Sequence, residues 1–254
     1  MTVREALAVL QKQPETASDV SGHSGAQTFY LPQEGGLYLK RGARGALRQD
    51  AQALQWFQGR WPVPELLEYE SGPCDYMLTR PLPGMPASNP VHCADPARLA
   101  GTLGEILRQF HSRDFTGCPF RHNTTEAMLQ RAARNIANRH WDESLAAYLG
   151  ERDLMRAAGE LRQGAALLKN DVVIHGDYCL PNILLSAHYR LEGFLDLGAA
   201  SWGDRHYDLF WGRWSLWYNL GTDRWGDLFF DAYGRAQIDP RRLRICGLIS
   251  CFDE

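Results

Sequence analysis

The sequence has no run of 18 apolar residues, so no segment has the length of a membrane-spanning helix. Its opening, MTVREALAVLQKQPE, is amphipathic and polar and is not followed by the apolar stretch a secretory leader requires. There is no CxxC pair, and the six cysteines (Cys74, Cys93, Cys118, Cys179, Cys246, Cys251) do not cluster with histidine at zinc-ligand spacing. They read as reduced thiols, several of them buried, in a cytoplasmic protein. An excess of positive charge is missing too. The formal net charge of −3 argues against a nucleic-acid partner, because neutralising phosphates needs a basic surface. The same small negative balance is compatible with a small cationic ligand. No internal repeat, no low-complexity tract and no sign of an obligatory protein partner is present.

What is present is an ordinary globular composition, 44% hydrophobic and 22% charged over 254 residues, enough for one large domain or two modest ones. Residues 1–12 read as a short helix with Val3, Leu7, Val9 and Leu10 roughly on one side. A glycine-bearing turn at 21–26 leads into a strand at 27–31, and the turn at 33–36 into a second strand at 37–40, forming a hairpin. A helix is predicted over 46–58, ending at Gly59. Beyond the extended Pro62-Val63-Pro64, strands are predicted at 66–69 and 75–79. Arg80-Pro81-Leu82-Pro83-Gly84 reads as a hinge. After it the periodicity becomes helical over 96–112, 124–139 and 144–163, with strands only at 172–175, 183–185 and 191–195. The expectation is an α+β protein with a β-rich N-terminal lobe (1–79), a hinge (80–84) and a larger, mainly helical lobe (85–254).

The strongest chemical signal is Val172-Val173-Ile174-His175-Gly176-Asp177-Tyr178-Cys179-Leu180-Pro181-Asn182-Ile183-Leu184-Leu185. An apolar strand runs into an HGD turn, an asparagine follows five residues after the aspartate, and a second strand ends in Phe194-Leu195-Asp196-Leu197-Gly198. Phosphoryl transfer needs a carboxylate beside the acceptor hydroxyl and hard oxygen ligands that hold magnesium on the phosphates. Asp177 fits the first role; Asn182 and Asp196 fit the second. The turn at 187–190 folds the two strands into a hairpin, which brings Asn182 near Asp196. Each of these residues alone has an ordinary structural use, as a turn cap or the residue before a glycine turn. The complete string is far more specific.

That string resembles the catalytic and metal-binding loops of the aminoglycoside phosphotransferase family, in particular its 3′-phosphotransferases. Further similar stretches are Trp56 to Pro64, Leu107-Arg108-Gln109-Phe110-His111-Ser112 with Cys118-Pro119-Phe120, and Gly203-Asp204-Arg205-His206-Tyr207-Asp208. The resemblance implies a two-lobed protein-kinase-like fold and an ATP- and magnesium-dependent O-phosphotransferase acting on a small-molecule hydroxyl. Asp177 is then the catalytic residue, and Asn182 and Asp196 are the magnesium ligands.

Strand alternation puts Tyr38 and Lys40 on one face. By the resemblance Lys40 binds the α- and β-phosphates, Tyr38 packs on adenine, and Gly22, Ser24 and Gly25 form the turn that covers the phosphates. Asp50 stands where the family's helix glutamate steadies the lysine, one methylene shorter. The Arg80 carbonyl and Leu82 N–H become the adenine-binding groups. Asp142 and Glu143, and Asp253 and Glu254 in the tail, are the candidate acceptor-binding carboxylates.

Three departures stand out. Ala199 replaces a common arginine, the tail reads Ser250-Cys251-Phe252-Asp253-Glu254, and Trp211, Trp214 and Trp217 are spaced three apart as on one helix face. Such stripes are most often core, but here they also point to a less anionic acceptor pocket. The alternatives are a kinase for another hydroxylated metabolite, and a catalytically silent nucleotide-binding pseudokinase.

Overall fold

The computed structural model describes residues 1–12, 18–19, 26–32 and 35–253, with 18–19 described by backbone only. Gly22, Ser24, Gly25 and Glu254 lie outside the described residues, as does the first half of the turn expected at 33–36.

Two compact units emerge. One comprises Met1–Met85 together with Leu184–Ser186 and Glu192–Gly198; the other comprises Pro86–Ile183, Ala187–Leu191 and Ala199–Glu254. A linear division at 79, 84 and 85 assigns Asp196 to the helical part, whereas the structure groups it with Lys40 and Asp50.

The first unit opens with α1 (Val3–Lys12) and continues through β1 (Ser18–Asp19), β2 (Gln27–Leu31), β3 (Leu37–Ala43), α2 (Arg48–Phe57), β4 (Glu65–Ser71) and β5 (Cys74–Arg80). The strands form one antiparallel sheet in the order β1-β2-β3-β5-β4. The short β1 carries no apolar alternation, which is why the sequence gives no sign of it. On β3, Leu37 and Leu39 are fully buried in a cluster with Leu31, Leu78, Val3 and Ala6, so α1 covers this face of the sheet. The two-residue side-chain period then turns Tyr38 and Lys40 to the other face, where both are half-buried.

β6 (Met85–Pro86) pairs with β8 (Ile183–Leu185), and β8 with β9 (Leu191–Phe194), in a three-stranded sheet ordered β6-β8-β9. Asn182 immediately precedes β8, and Asp196 follows β9 by two residues.

The second unit holds α3 (Pro90–Cys93), α4 (Pro96–His111), α5 (Thr125–Ala137), α6 (Glu143–Tyr148), α7 (Leu154–Gly164), α8 (Arg205–Leu220), α9 (Gly226–Tyr233) and α10 (Pro240–Phe252). The antiparallel pair of β7 (Val172–Ile174) and β10 (Ser201–Gly203) belongs to it as well. Asp-Pro starts both α4 and α10: Asp95 and Asp239 cap the free amides, and the following proline supplies a preset φ where its missing N–H costs nothing. The single helix expected over 144–163 is two. Gly150 takes a left-handed φ of 70°, and Asp153 caps a fresh start by accepting from Met155 and Arg156. The core of this unit joins Met128, Leu161, Ile174, Phe210, Ile245, Leu248 and Phe252. Among the described residues no helix is long and apolar enough to cross a membrane.

Candidate active site

The chemistry-bearing residues fall into two groups, one in each unit. In the second unit, β7 is wholly buried and delivers the chain to His175-Gly176-Asp177. Gly176 has φ +84°, and a Cβ there would drive into the Ala199 carbonyl, so only glycine permits this turn. Asp208, fully buried on α8, fixes the turn from behind. One carboxylate oxygen accepts the His175 N–H at 2.7 Å and the other the Gly176 N–H at 2.9 Å.

Asp208 also meets the His111 Nε2 at 3.1 Å, while the His111 Nδ1 meets the Tyr233 hydroxyl at 2.9 Å. A carboxylate only accepts, so Nε2 carries the proton and Tyr233 donates to Nδ1. Burial pushes the Tyr233 phenol up to about 12 against the opposing pull of Arg205, which keeps it a donor at neutral pH.

Asp177 is tied to Asn182. The Asn182 Nδ2 donates to the Asp177 carboxylate at 2.7 Å and to its backbone carbonyl at 3.1 Å. The amide nitrogen being engaged, the amide oxygen is the group that remains for a cation. The loop between them is fastened twice: the Leu180 N–H donates to the Ser215 hydroxyl at 2.9 Å, and the buried Tyr178 hydroxyl to the Leu103 carbonyl at 2.8 Å.

In the first unit, Lys40 lies between two carboxylates. It pairs closely with Asp196 and at 3.8 Å with Asp50. The greater reach to Asp50 fits a side chain one methylene shorter than glutamate. Burial pulls the Lys40 ammonium down, but Asp196 and Asp50 outweigh it and leave the pKa raised, so the charge persists. Asp50 is pushed up by burial more than Lys40 and the Gly198 N–H pull it down. Asp196 adopts a left-handed φ of 50°, uncommon for a non-glycine residue, and keeps its side chain half exposed. Tyr38 shares the Lys40 face, its ring 5.2 Å from that of Tyr30. Arg80 ends β5 with its side chain on Glu65 at 3.0 Å, and Leu82 packs over Gly193 so closely that a Cβ there would collide.

Among the described residues no three His, Cys, Asp or Glu side chains gather into a metal cage. Magnesium is usually held by one or two carboxylates plus substrate phosphates, and the exposed Asp196 carboxylate and the Asn182 amide oxygen are donors of that hard type.

Among the expected acceptor-binding acids, Asp142 and Asp253 have partners within the protein. The Asp142 carboxylate caps α6, accepting from the Ser144 N–H at 2.7 Å, the Ser144 hydroxyl at 2.7 Å and the Leu145 N–H at 2.9 Å. Burial raises its pKa less than these bonds lower it. Asp253 takes a bidentate pair from Arg131 at 2.5 and 2.8 Å, and Arg131 reaches on to Asn123 at 2.6 Å. Glu143 is exposed. The tryptophans do not share one face either. Steps of three drift by about 60° around a helix, so Trp211 and Trp214 pack together at 5.3 Å while Trp217 turns to Tyr148 at 4.8 Å.

Asp208 and His111 are the residues that sequence reasoning quoted only as parts of similar stretches. The one local sign of Asp208 is an acid in the apolar string HYDLFW, where burial demands partners. Lys40 had a sign not used: it is one of only three lysines among 27 basic residues.

Residues 16–246 match the model of a phosphotransferase enzyme family. The probable aminoglycoside 3′-phosphotransferase of Lactococcus lactis is 34% identical over 235 residues, 92% of this chain and 89% of that protein. The streptomycin 3″-kinase of Streptomyces griseus is 31% identical over 242 residues, 88% of this chain and 87% of its own. Among solved structures, an aminoglycoside-3′-phosphotransferase of type VIII superposes with a TM-score of 0.73 at 27% identity, covering 97% of each chain. The α+β, kinase-like class expected from the sequence is the class of these neighbours. The chain belongs to the phosphotransferase enzyme family, within its aminoglycoside phosphotransferases.

Proposed function

We propose that this kinase transfers the γ-phosphoryl group of ATP, with magnesium, to a hydroxyl of an aminoglycoside, the 3′-hydroxyl by analogy with the Lactococcus lactis relative. The observation that carries the reading is the hydrogen-bonded pair of Asp177 and Asn182 on a glycine-dependent turn. Asp177 orients the acceptor hydroxyl and takes its proton. Asn182 and Asp196 hold magnesium on the phosphates, and Lys40, steadied by Asp50, neutralises the α- and β-phosphates. Tyr38 packs on adenine, with the Arg80 carbonyl and Leu82 N–H as the edge-binding groups and Gly22, Ser24 and Gly25 closing over the phosphates.

The test is a coupled assay of ADP release with aminoglycosides, choline, amino alcohols and simple sugars, with and without magnesium. Product analysis locates the phosphate. Turnover confined to aminoglycosides and abolished in Asp177→Ala supports the reading. Turnover only on choline or a sugar replaces the acceptor, and nucleotide binding without turnover on any acceptor removes the enzyme.

A further inference from the structure

Asp208 is one support of the catalytic turn, and the Ala199 carbonyl is another. A Cβ on Gly176 would come within 2.3 Å of that oxygen, so the carbonyl packs directly against the turn. The Asn123 Nδ2 donates to the Ala199 carbonyl at 2.7 Å, and the Asn123 backbone N–H donates to the Ser201 hydroxyl at 3.1 Å. Ser201 is fully buried and stands opposite Ile174, the residue before His175, in the β7–β10 pair. Asn123 therefore grips the segment beside the turn at two points.

Asn123 is itself held. The Arg131 guanidinium donates to its Oδ1 at 2.6 Å, to the His122 carbonyl at 2.7 Å, and to the Asp253 carboxylate at 2.5 and 2.8 Å. A guanidinium only donates and a carbonyl only accepts, so the Asn123 amide fits between them in one orientation alone. The segment that supplies Asp253 is tied at two further points. The Phe252 carbonyl accepts from the Asn135 Nδ2 at 2.7 Å, and the Cys251 carbonyl from the Asp142 N–H at 2.7 Å. The Asp253 side chain is only 9% exposed, and a carboxylate so enclosed stays charged only beside its cation.

We propose that Arg131 and Asn123 are positioning residues for Asp177: anchored on Asp253, they fix the Ala199 carbonyl against Gly176 and so hold the turn in its productive geometry. Asp253 then serves catalysis as an internal anchor and not as an acceptor ligand. The inference rests on the role given to Asp177 above.

The test is steady-state kinetics of the full chain with ATP, magnesium and the acceptor of the panel above that turns over fastest, at a temperature where circular dichroism shows each variant folded. Asn123→Asp keeps the shape and the bond to Arg131 but sets an acceptor against the Ala199 carbonyl. It is expected to lower kcat about 10-fold or more, the effect of a buried hydrogen bond left unmade. The KM for ATP should stay within about 2-fold, as for an interaction that serves the chemical step. Arg131→Met combined with Asp253→Asn removes the anchor without stranding a buried charge, and should lower kcat in the same way. Adding Asn123→Asp to that pair should cost little more, because both changes cut one chain of contacts. Wild-type kcat in folded Asn123→Asp overturns the proposal, and so does a KM for ATP that rises as far as kcat falls. Losses that multiply in the combined variant overturn it as well. Where Asn123→Asp does not fold, wild-type kcat in the Arg131→Met, Asp253→Asn pair overturns it instead. Asp177→Ala separates the two claims. If it is inactive beside a fully active Asn123→Asp, the positioning role alone falls; if it turns over at the wild-type rate, or the wild type uses no acceptor of the panel, both fall.

Discussion

The Asp50 carboxylate accepts the Gly198 backbone N–H while lying 3.8 Å from the Lys40 ammonium. One short side chain thus joins Lys40 to the turn that carries Asp196. The fit is tight, because a Cβ on Gly198 would land on the Asp50 carboxylate. Restoring the family's glutamate should therefore not improve the enzyme: the extra methylene pushes the carboxylate past the glycine amide. Asp50→Glu is expected to raise the KM for ATP. Asp50→Ala, which leaves Lys40 with Asp196 alone and strands the glycine amide, should raise it by about 10-fold or more, the value of one charged hydrogen bond. Steady-state kinetics in ATP at saturating acceptor decide this, and an Asp50→Glu enzyme better than wild type would refute it.

Gly176 is conformationally irreplaceable. Gly176→Ala places a side chain at φ +84° and against the Ala199 carbonyl, and the backbone alone costs about 1–3 kcal/mol. Because the turn carries Asp177, kcat should fall at least about 100-fold, the change that about 2.7 kcal/mol produces. The melting temperature should drop by several degrees. Replacement of the open Gly59, where φ is +76° but nothing lies within 4 Å of a Cβ, should cost stability without the loss of kcat.

The Asp208 carboxylate holds the turn, and its effect on turnover is expected to come through it. Asp208→Asn keeps the shape but offers one acceptor oxygen where the backbone needs two, and it places an amide donor against the His175 or Gly176 N–H. The expected result is a kcat lowered about 10–100-fold, one or two charged hydrogen bonds' worth, with the KM for ATP nearly unchanged. His111→Phe, which removes only the third contact, should have a smaller effect in the same direction. Equal losses in kcat and in ATP affinity would mean that Asp208 supports the fold generally and not the turn.

These residues also mark the limit of what the chain discloses by itself. Asp177, Asn182 and Asp196 could be picked out as candidates because one strand-turn-strand segment carries all three, so their spacing is the signal. That Tyr38 and Lys40 share a face followed from strand alternation, which survives in the burial pattern of β3, while their candidate roles came from the family resemblance. Asp208 and His111 meet across 97 positions, and no local pattern encodes that meeting. Asp142 and Asp253 show the opposite case. An acid beside a helix start or in a tail looks available in sequence, while the competing partners, the α6 amides and Arg131, are visible only in three dimensions. The break between α6 and α7 was missed because the apolar period continues across Gly150, and only its left-handed backbone ends the helix.

Acid should weaken the protein in a defined window, and Asp75 and Glu151 account for it. Burial raises the Asp75 pKa, but the Gly45 and Leu47 amides and the Ser71 and Tyr69 hydroxyls outweigh it and bring the carboxyl to about 2. Glu151 is likewise brought to about 2, burial again being overcome by Arg156 and the amides of Asp153 and Arg152. Both folded values lie below the ordinary 3.8 and 4.5, so the unfolded chain binds protons first as the pH falls. The stabilisation is complete above about pH 5, declines as pH drops through 4 and 3, and is gone below about 2. Asp75→Asn should cost about 1–3 kcal/mol at pH 7, where the amide replaces a charged acceptor. The gap to wild type should narrow as the pH approaches 2. Urea denaturation at half-unit steps from pH 7 to 3 measures both curves, and a gap that stays constant across that range would show that folding does not lower the Asp75 pKa.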